Sequence, residues 1–379
     1  MKVLFVVNNY YASGNGLSAS ARRTVKYLKE AGVDVRVISG RNHEAPEPQP
    51  DYILDDYKVP IFDKLIQAHG YKFADVDRAV MKEALAWADV VHLEEPFIIE
   101  WFIANMAHDA GIPVTGTYHL HPENIFFSLG MGNWKLPNQI MLNLWKNLCF
   151  NEWKYVQCPT QNVKDRLEAN GFKADLRVIS NGLVPDACIR VPHQNQPFLL
   201  ICIGRLSGEK SPYTLLEAMK HSSFAKNIQL FFAGKGPEEK KVRKMAKKLY
   251  EDGVVAYEPL FDFMDRDGLR NLAAKADLAI HCATIEVEGL SIMEAMQHGV
   301  VPIIADGPIT GTHQFAIDER SRFAQKDAVE LAQKIDWWLS HPAELEAARG
   351  AYVEEMKKYS IEYSVRELIK MFRDATQEK

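Results

Sequence analysis

Short apolar runs alternate with amphipathic stretches along most of the chain, the pattern of parallel α/β architecture. In the first half, strands are predicted over 2–7 (KVLFVV), 33–39 (VDVRVIS), 90–94 (VVHLE), 113–118 (PVTGTY), 155–158 (YVQC) and 176–179 (LRVI). Helical spacing fits 18–31, 74–88, 97–110, 136–151 and 161–170, with Gly32 and Gly111 placed where two of these helices should stop. The stretch from Arg41 to Tyr71, rich in Pro, Asp and Tyr, has no clear period and reads as an excursion or flap. Residues 189–197 (IRVPHQNQP) are polar, carry two prolines and read as a linker. The pattern then restarts, with strands over 198–203, 228–233, 254–257, 278–281 and 301–304, and a helical tail from about 326. Two α/β sheets in tandem place a ligand site outside the carboxyl ends of the strands, in the cleft between them.

A length of 379 residues suits two domains, and 47% hydrophobic with 25% charged residues suits a water-soluble protein. The net charge of −5 argues against a nucleic-acid-coating protein. The apolar stretch at the N-terminus spans about six residues, shorter than the roughly 7–15 of a secretory core, so it reads as a first buried strand. No run approaches the roughly 20 apolar residues of a membrane-spanning helix. Cys149, Cys158, Cys188, Cys202 and Cys282 lie far apart and are odd in number, which reads as buried free thiols in a reducing, cytoplasmic setting.

Chemistry concentrates in four places. GRLSGEKSP leaves the strand at 198–203 and offers Gly204, Arg205 and Lys210 before a helix opened by Pro212, two cations and a glycine suited to a phosphate group. AGKGPEE leaves the strand at 228–233 through Gly234. In HCATIEVEGLSIMEAMQHG, Glu286 and Glu294 flank Gly289-Leu290-Ser291, where a helix should begin and its first amides would favour an anion. Ser291 with Glu294 three residues on is also a capping-box pattern. In the first half, Gly14-Asn15-Gly16 opens a helix, and Thr117-Tyr118-His119 ends a strand, followed by His121, Glu123 and Asn124. Asp75-x-Asp77 and Asp265-x-Asp267 read as helix caps rather than metal ligands.

GRLSGEK, AGKGPE, Asn181-Gly182 and the Glu-x7-Glu segment, in that family's order, resemble the family-4 retaining glycosyltransferases of GT-B fold. The resemblance covers nearly the whole chain. It implies two Rossmann-like domains facing each other across a cleft, an acceptor-binding domain over 1–190 and a nucleotide-sugar-binding domain over 198–358, with a C-terminal helix over 359–379 returning to the N-terminal domain. It further implies that Arg205 and Lys210 neutralise the donor diphosphate and that Glu294 holds the nucleotide ribose. Glu286 would contact the transferred sugar. Gly14, Gly16, Gly204, Gly234, Gly289, Leu290 and Ser291 would line the donor, with His119 catalytic beside Glu286, Arg205 and Lys210. His121, Glu123 and Asn124 would face the acceptor. No metal or other cofactor is implied, the nucleotide-sugar being a co-substrate, most often UDP-linked in this family. Glu288 departs from the family's pattern, which often has an aromatic residue or proline there, and this weakens the inference of donor more than that of reaction.

Two other readings differ in class. A nucleotide-sugar-binding subunit without catalysis fits the fold, but a dead copy commonly loses residues such as Arg205, Lys210, Glu286 and Glu294. A nicotinamide dehydrogenase would need G-x-G-x-x-G in its first turn, where Ala19 occupies the sixth place. Two surfaces stay open between solvent and membrane. From Leu136, apolar Ile140, Met141, Leu144, Trp145 and Leu148 fall on one helical face beside Lys135 and Lys146, as on a helix packed against its own sheet or lying on a bilayer at the inner face of the membrane. The basic run Lys240, Lys241, Arg243, Lys244, Lys247 and Lys248 reads as a solvated helix face or an anionic-surface contact. HLHPENIFFSLG faintly resembles lipid-directed or capsule-building members of the family.

Overall fold

The computed structural model describes residues 1–12, 16–43, 48–60, 63, 71–128, 132, 134–187 and 197–377. It contains two compact units, one formed by Met1–Pro122, Trp134–Gly182 and Ile361–Lys379, the other by Glu123–Asn133 and Leu183–Ser360. The expected linker lies, but for Pro197, outside the described residues.

The first unit holds strands β1 (Lys2–Val6), β2 (Asp34–Gly40), β3 (Tyr52–Leu54), β6 (Val90–Leu93), β7 (Val114–Thr117), β8 (Tyr155–Cys158) and β9 (Asp175–Val178), with a two-stranded ribbon of β4 (Asp56–Tyr57) and β5 (Phe73–Ala74). Its sheet runs β3-β2-β1-β6-β7-β8-β9, all pairs parallel, so the chain reverses its direction of winding between β1 and β6. Val3, Leu4, Phe5 and Val6 are all fully buried, which is why β1 reads as an unbroken apolar run rather than an alternating one. Each such side chain contributes about 1.5–3 kcal/mol on leaving water. The Arg41–Tyr71 excursion is not wholly irregular, since Tyr52–Leu54 pairs with β2 as the edge strand. Three residues with Tyr52 and Leu54 turned inward are too short to show a period.

The second unit holds β10 (Phe198–Ile203), β11 (Ile228–Ala233), β12 (Leu260–Asp262), β13 (Leu278–His281), β14 (Val301–Asp306) and β15 (Arg322–Ala324), in the order β12-β11-β10-β13-β14-β15. All pairs are again parallel, and winding reverses between β10 and β13. The strand expected over 254–257 is absent; its place in the sheet is taken by β12. Val254 and Val255 instead close the helix Glu239–Glu251, both amides reaching the Leu249 carbonyl after Gly253 turns at φ 70°. Their apolar character serves the helix end, where a hydrophobic contact commonly accompanies a left-handed glycine.

The helix Ile361–Gln377 buries Ile361, Val365, Leu368, Met371, Phe372 and Ala375 and belongs to the first unit. Phe372 lies edge-on to His92 with ring centroids 5.1 Å apart, and Arg177 pairs with Asp374 at 2.7 Å. Cys149, Cys158 and Cys282 are buried free thiols and Cys202 a half-buried one, while Cys188 lies outside the described residues. Asp77 and Asp265 cap helices, accepting from Ala79 and Val80 and from Gly268. Among the described residues no helix is long and apolar enough to cross a membrane.

Gly116 sits in β7 because a Cβ there would stand 2.3 Å from the Trp153 ring and 2.9 Å from the Leu93 carbonyl oxygen. Gly116→Ala should therefore cost about 1–3 kcal/mol of stability through overpacking. A lowered denaturant midpoint by Trp fluorescence is the expected result, and an unchanged midpoint would show that β7 and Trp153 can separate freely.

Candidate functional site

In the second unit, three loops leave the carboxyl ends of adjacent strands at the point where winding reverses, the place where open α/β sheets bind ligands. Gly204 follows β10 with φ 142°, a conformation that favours glycine. The loop it opens is laced to the loop after β11. The Gly204 amide donates to the Ala233 carbonyl at 3.0 Å, Leu206 to Lys235 at 2.9 Å, and Glu238 back to Leu206 at 2.9 Å. A Cβ on Gly234 would meet the Gly204 carbonyl oxygen at 1.9 Å, and one on Gly236 the Leu206 carbonyl oxygen at 2.2 Å. The two glycines of AGKGPE thus exist because one backbone lies directly on another.

The loop after β13 is tied to the same assembly. Thr284 donates its amide to the Glu209 carbonyl at 2.7 Å and its hydroxyl at 3.1 Å. Two residues on, Glu286 donates its amide to Ile309 at 3.0 Å and accepts from the Gly311 amide at 2.7 Å. With its backbone stapled on both sides, the Glu286 carboxylate accepts from the Lys210 ammonium and lies 3.4 Å from His281 Nε2. Burial alone would push this carboxyl up, but Lys210 and His281 outweigh it and hold it well below the usual carboxylate range. The side chain is a charged acceptor at any ordinary pH.

Gly289, at φ 88°, is the N-cap of the helix Leu290–Gln297, and a Cβ there would meet Thr312 at 2.8 Å. Thr312 in turn lies 3.5 Å from His281 Nε2. Ser291 does not cap this helix as the capping-box pattern suggested. The cap is glycine, so Ser291 lies within the first turn and donates to the Ile203 carbonyl at 3.2 Å, joining the helix to the end of β10. The first amides of such a helix have no intrahelical acceptor and face an anion favourably. Glu294 is half-buried one turn further on. Arg205 is half-buried and has no side-chain hydrogen bond or ion pair among the described residues. Glu288 is buried at 3% exposure, whereas a loop position suggests solvent.

Lys210, Glu286, Gly289, Leu290 and Ser291 thus gather with Gly204 and Gly234 on one end of the second sheet. Sequence reading passed over their supports: His281, Thr312 and the Ile309–Gly311 segment. His281 was visible as a polar end to an apolar strand, but nothing in the local sequence ties residue 286 to residue 310.

In the first unit, Gly14 lies outside the described residues, and Gly16 is the exposed first residue of the helix Gly16–Glu30. His119 follows β7 and is nearly buried, its Nε2 2.8 Å from Glu94 Oε2. His121 does not line a surface. It is fully buried, with Nδ1 accepting from Arg166 at 2.9 Å and from the Tyr118 hydroxyl at 3.1 Å, so it anchors the loop behind His119. Glu123 and Asn124, which belong to the second unit, begin the short helix Pro122–Ser128, Glu123 at 9% exposure and Asn124 half-buried. Gly182 turns at φ 76° where a Cβ would stand 2.6 Å from Ile361 Cα, so Asn181-Gly182 is explained by the packing of the last helix. Among the described residues no group of three or more His, Cys, Asp or Glu is placed to hold a metal ion.

The arrangement in the second unit combines a fixed carboxylate, the Lys210 ammonium against it and a helix N-terminus, which together suit a ligand bearing hydroxyls at one end and an anion beside them. Comparison with known proteins gives the family. The family described as "Glycosyltransferase Family 4" matches residues 14–187, and "Glycosyl transferases group 1" matches residues 189–356. An alpha-monoglucosyldiacylglycerol synthase of Streptococcus pneumoniae is 24% identical over 328 residues, covering 81% of this chain and 71% of the relative. A GDP-mannose-dependent alpha-mannosyltransferase of Corynebacterium glutamicum is 24% identical over 404 aligned positions, covering 99% and 89%. Among solved structures, HepE of Anabaena in complex with UDP and glucose superimposes with a TM-score of 0.72 at 15% identity, covering 99% of this chain and 100% of its own. Sucrose-phosphate synthase from Thermosynechococcus elongatus gives a TM-score of 0.72 at 15% identity, covering 100% of both chains. Two family matches that between them span both units, relatives aligned along most of the chain and the shared architecture lead to one conclusion: the chain belongs to the family-4 glycosyltransferases of GT-B fold.

Proposed function

We propose that the protein is a retaining hexosyltransferase that moves a sugar from a nucleotide-sugar, UDP-linked, to a lipid-linked or glycan acceptor at a membrane surface. The observation that carries the reading is the Lys210–Glu286 contact, backed by His281 and set beside the helix-start amides of Leu290 and Ser291. In this reading the diphosphate takes Lys210, Arg205 and the helix amides, Glu286 accepts from hydroxyls of the transferred sugar, and Glu294 holds the ribose. His119 acts at the transferred sugar. The acceptor hydroxyl attacks the anomeric carbon on the face from which the nucleoside diphosphate departs. Negative charge accumulates on the leaving phosphate, where preorganised cations stabilise it most.

One relative is an alpha-monoglucosyldiacylglycerol synthase, which supports a lipid acceptor. The surface supports it too. On the helix Lys135–Leu148, the expected single apolar face divides into two. Leu142 and Trp145 point inward, while Leu136, Ile140, Leu144 and Leu148 form an outward row at 72%, 59%, 49% and 47% exposure, extended by Trp134. The 28 residues between Glu123 and Glu152 contain Lys135 and Lys146 and no carboxylate. A row of four large apolar side chains with only positive neighbours in sequence fits an anionic bilayer.

Three measurements test this. Lys210→Ala or Glu286→Ala should lower sugar transfer by on the order of 10²-fold or more, as loss of a charge-stabilising group does; transfer within twofold of the parent in both would sink the site. UDP should raise the melting temperature more than GDP or ADP, a ligand at a hundred times its Kd adding about 2.7 kcal/mol. A larger shift with GDP would replace the base named here. The triple change Leu136→Gln, Ile140→Gln, Leu144→Gln should abolish sedimentation with phosphatidylglycerol vesicles without lowering the melting temperature. Equal sedimentation of parent and variant would show that this helix faces something else.

A further inference from the structure

The His119 ring finds a partner outside its own loop. Glu94, the first residue after β6, is almost fully buried and lies under it, with Oε2 2.8 Å from His119 Nε2. Its other oxygen, Oε1, is 3.1 Å from His92 Nε2 and 3.3 Å from the Thr117 hydroxyl. His92 is itself fully buried between the rings of Phe5 and Phe372, at centroid distances of 5.3 and 5.1 Å.

The protons in this chain of groups can be placed by following donors. Gln157 donates its amide to the Ile179 carbonyl at 2.9 Å, so its Oε1 accepts from the Thr117 hydroxyl at 2.9 Å. The Thr115 hydroxyl lies 2.9 Å from His92 Nδ1 and 3.2 Å from the Val91 carbonyl. Both neighbours of His92 Nε2, the Thr117 oxygen at 3.0 Å and Glu94 Oε1, are then acceptors, and only an N–H at Nε2 satisfies them. His92 thus directs an Nε2 proton at a buried carboxylate. Burial by itself would raise the Glu94 carboxyl, but His119 and His92 bring it down to about 2. As an ionised acceptor-only group, Glu94 requires the proton of the His119 contact to sit on Nε2.

The next carboxylates along show what the pairing achieves. Glu95 and Glu100 share the Asn8 amide at 3.1 and 2.8 Å with no cation beside them, and burial pushes both carboxyls up. Of the three, Glu94 is the one whose carboxyl is held down, and it is the one that touches His119.

We propose that Glu94 is a positioning residue for the transfer reaction: locked by His92, it fixes the His119 ring and confines its proton to Nε2. The proposal rests on the reading of His119 given under the proposed function. It assigns no contact between Glu94 and substrate. A ring held within a fraction of an ångström matters because small displacements at a reacting centre cost rate heavily.

The test compares Glu94→Gln, Glu94→Ala and His119→Ala in the full chain. Gln keeps the shape and an acceptor oxygen, whereas Ala removes both. Expected are a fall in kcat on the order of tenfold to a hundredfold for Ala, a smaller fall for Gln, and UDP affinity within twofold of the parent for both, since the diphosphate groups are elsewhere. Ring nitrogen-15 spectra should show the His119 proton on Nε2 in the parent. Parental kcat in both Glu94 variants while His119→Ala is impaired would overturn the proposal, as would a proton found on Nδ1. Loss of UDP affinity in step with kcat in Glu94→Gln would reduce Glu94 to a structural group and also overturn it. Undiminished transfer by His119→Ala would instead remove the reading underneath, and the proposal with it.

Discussion

The contact between Lys210 and Glu286 is the constraint around which the second unit is organised. A cation and a carboxylate held together away from water are costly unless each keeps further polar partners. Here the surrounding loops supply them: Thr284 ties one loop to Glu209, Ile309 and Gly311 clamp the Glu286 backbone, and His281 adds a second partner for the carboxylate. The glycines follow from the same requirement. Gly234 and Gly236 let the AGKGPE loop lie on the backbone of the GRLSGEK loop, which fixes the path by which Lys210 is reached. The ion pair is thus the visible end of a backbone arrangement, and the sequence motifs record that arrangement more than they record ligand contacts.

This distinction explains what was legible from the residues alone. Both sheets could be read because their central strands are largely apolar and run without alternation; β1, β8, β10, β11 and β13 lie where the pattern puts them, to within a residue or two. The motif loops could be read because glycine and charge stand next to each other at strand ends. Three kinds of feature could not. Val254 and Val255 are apolar for the sake of a helix end, and local composition does not separate that use from a strand. Tyr52–Leu54 and Arg322–Ala324 are too short to carry a period. Pairings across long sequence separations, such as Glu286 with Thr310 or Glu94 with His119, leave no local trace. His121 shows the converse error, since a histidine two residues from a functional one looks equally available until its ring is found under Arg166.

The first unit solves a different problem with similar means. The carboxylate of Glu94, just after β6, is buried where winding reverses, and its partners are histidines rather than lysines. A histidine can accept or donate, so its neighbours decide where its proton sits, and His92 has a threonine on each side with Glu94 beside Nε2. The outward apolar row on Lys135–Leu148 belongs to the same unit but uses the opposite principle, leaving uncovered what the core would ordinarily hide.

The ring of Phe372 against His92 gives the last helix a meaning that its position in the sequence conceals. It forms a wall of the compartment in which Glu94 keeps its charge, although more than 250 positions separate the two along the chain. Shortening the protein from that end would therefore remove part of an interior, and a deletion series interpreted as mapping a dispensable tail would assign to the tail a property that resides in the opposite half of the chain.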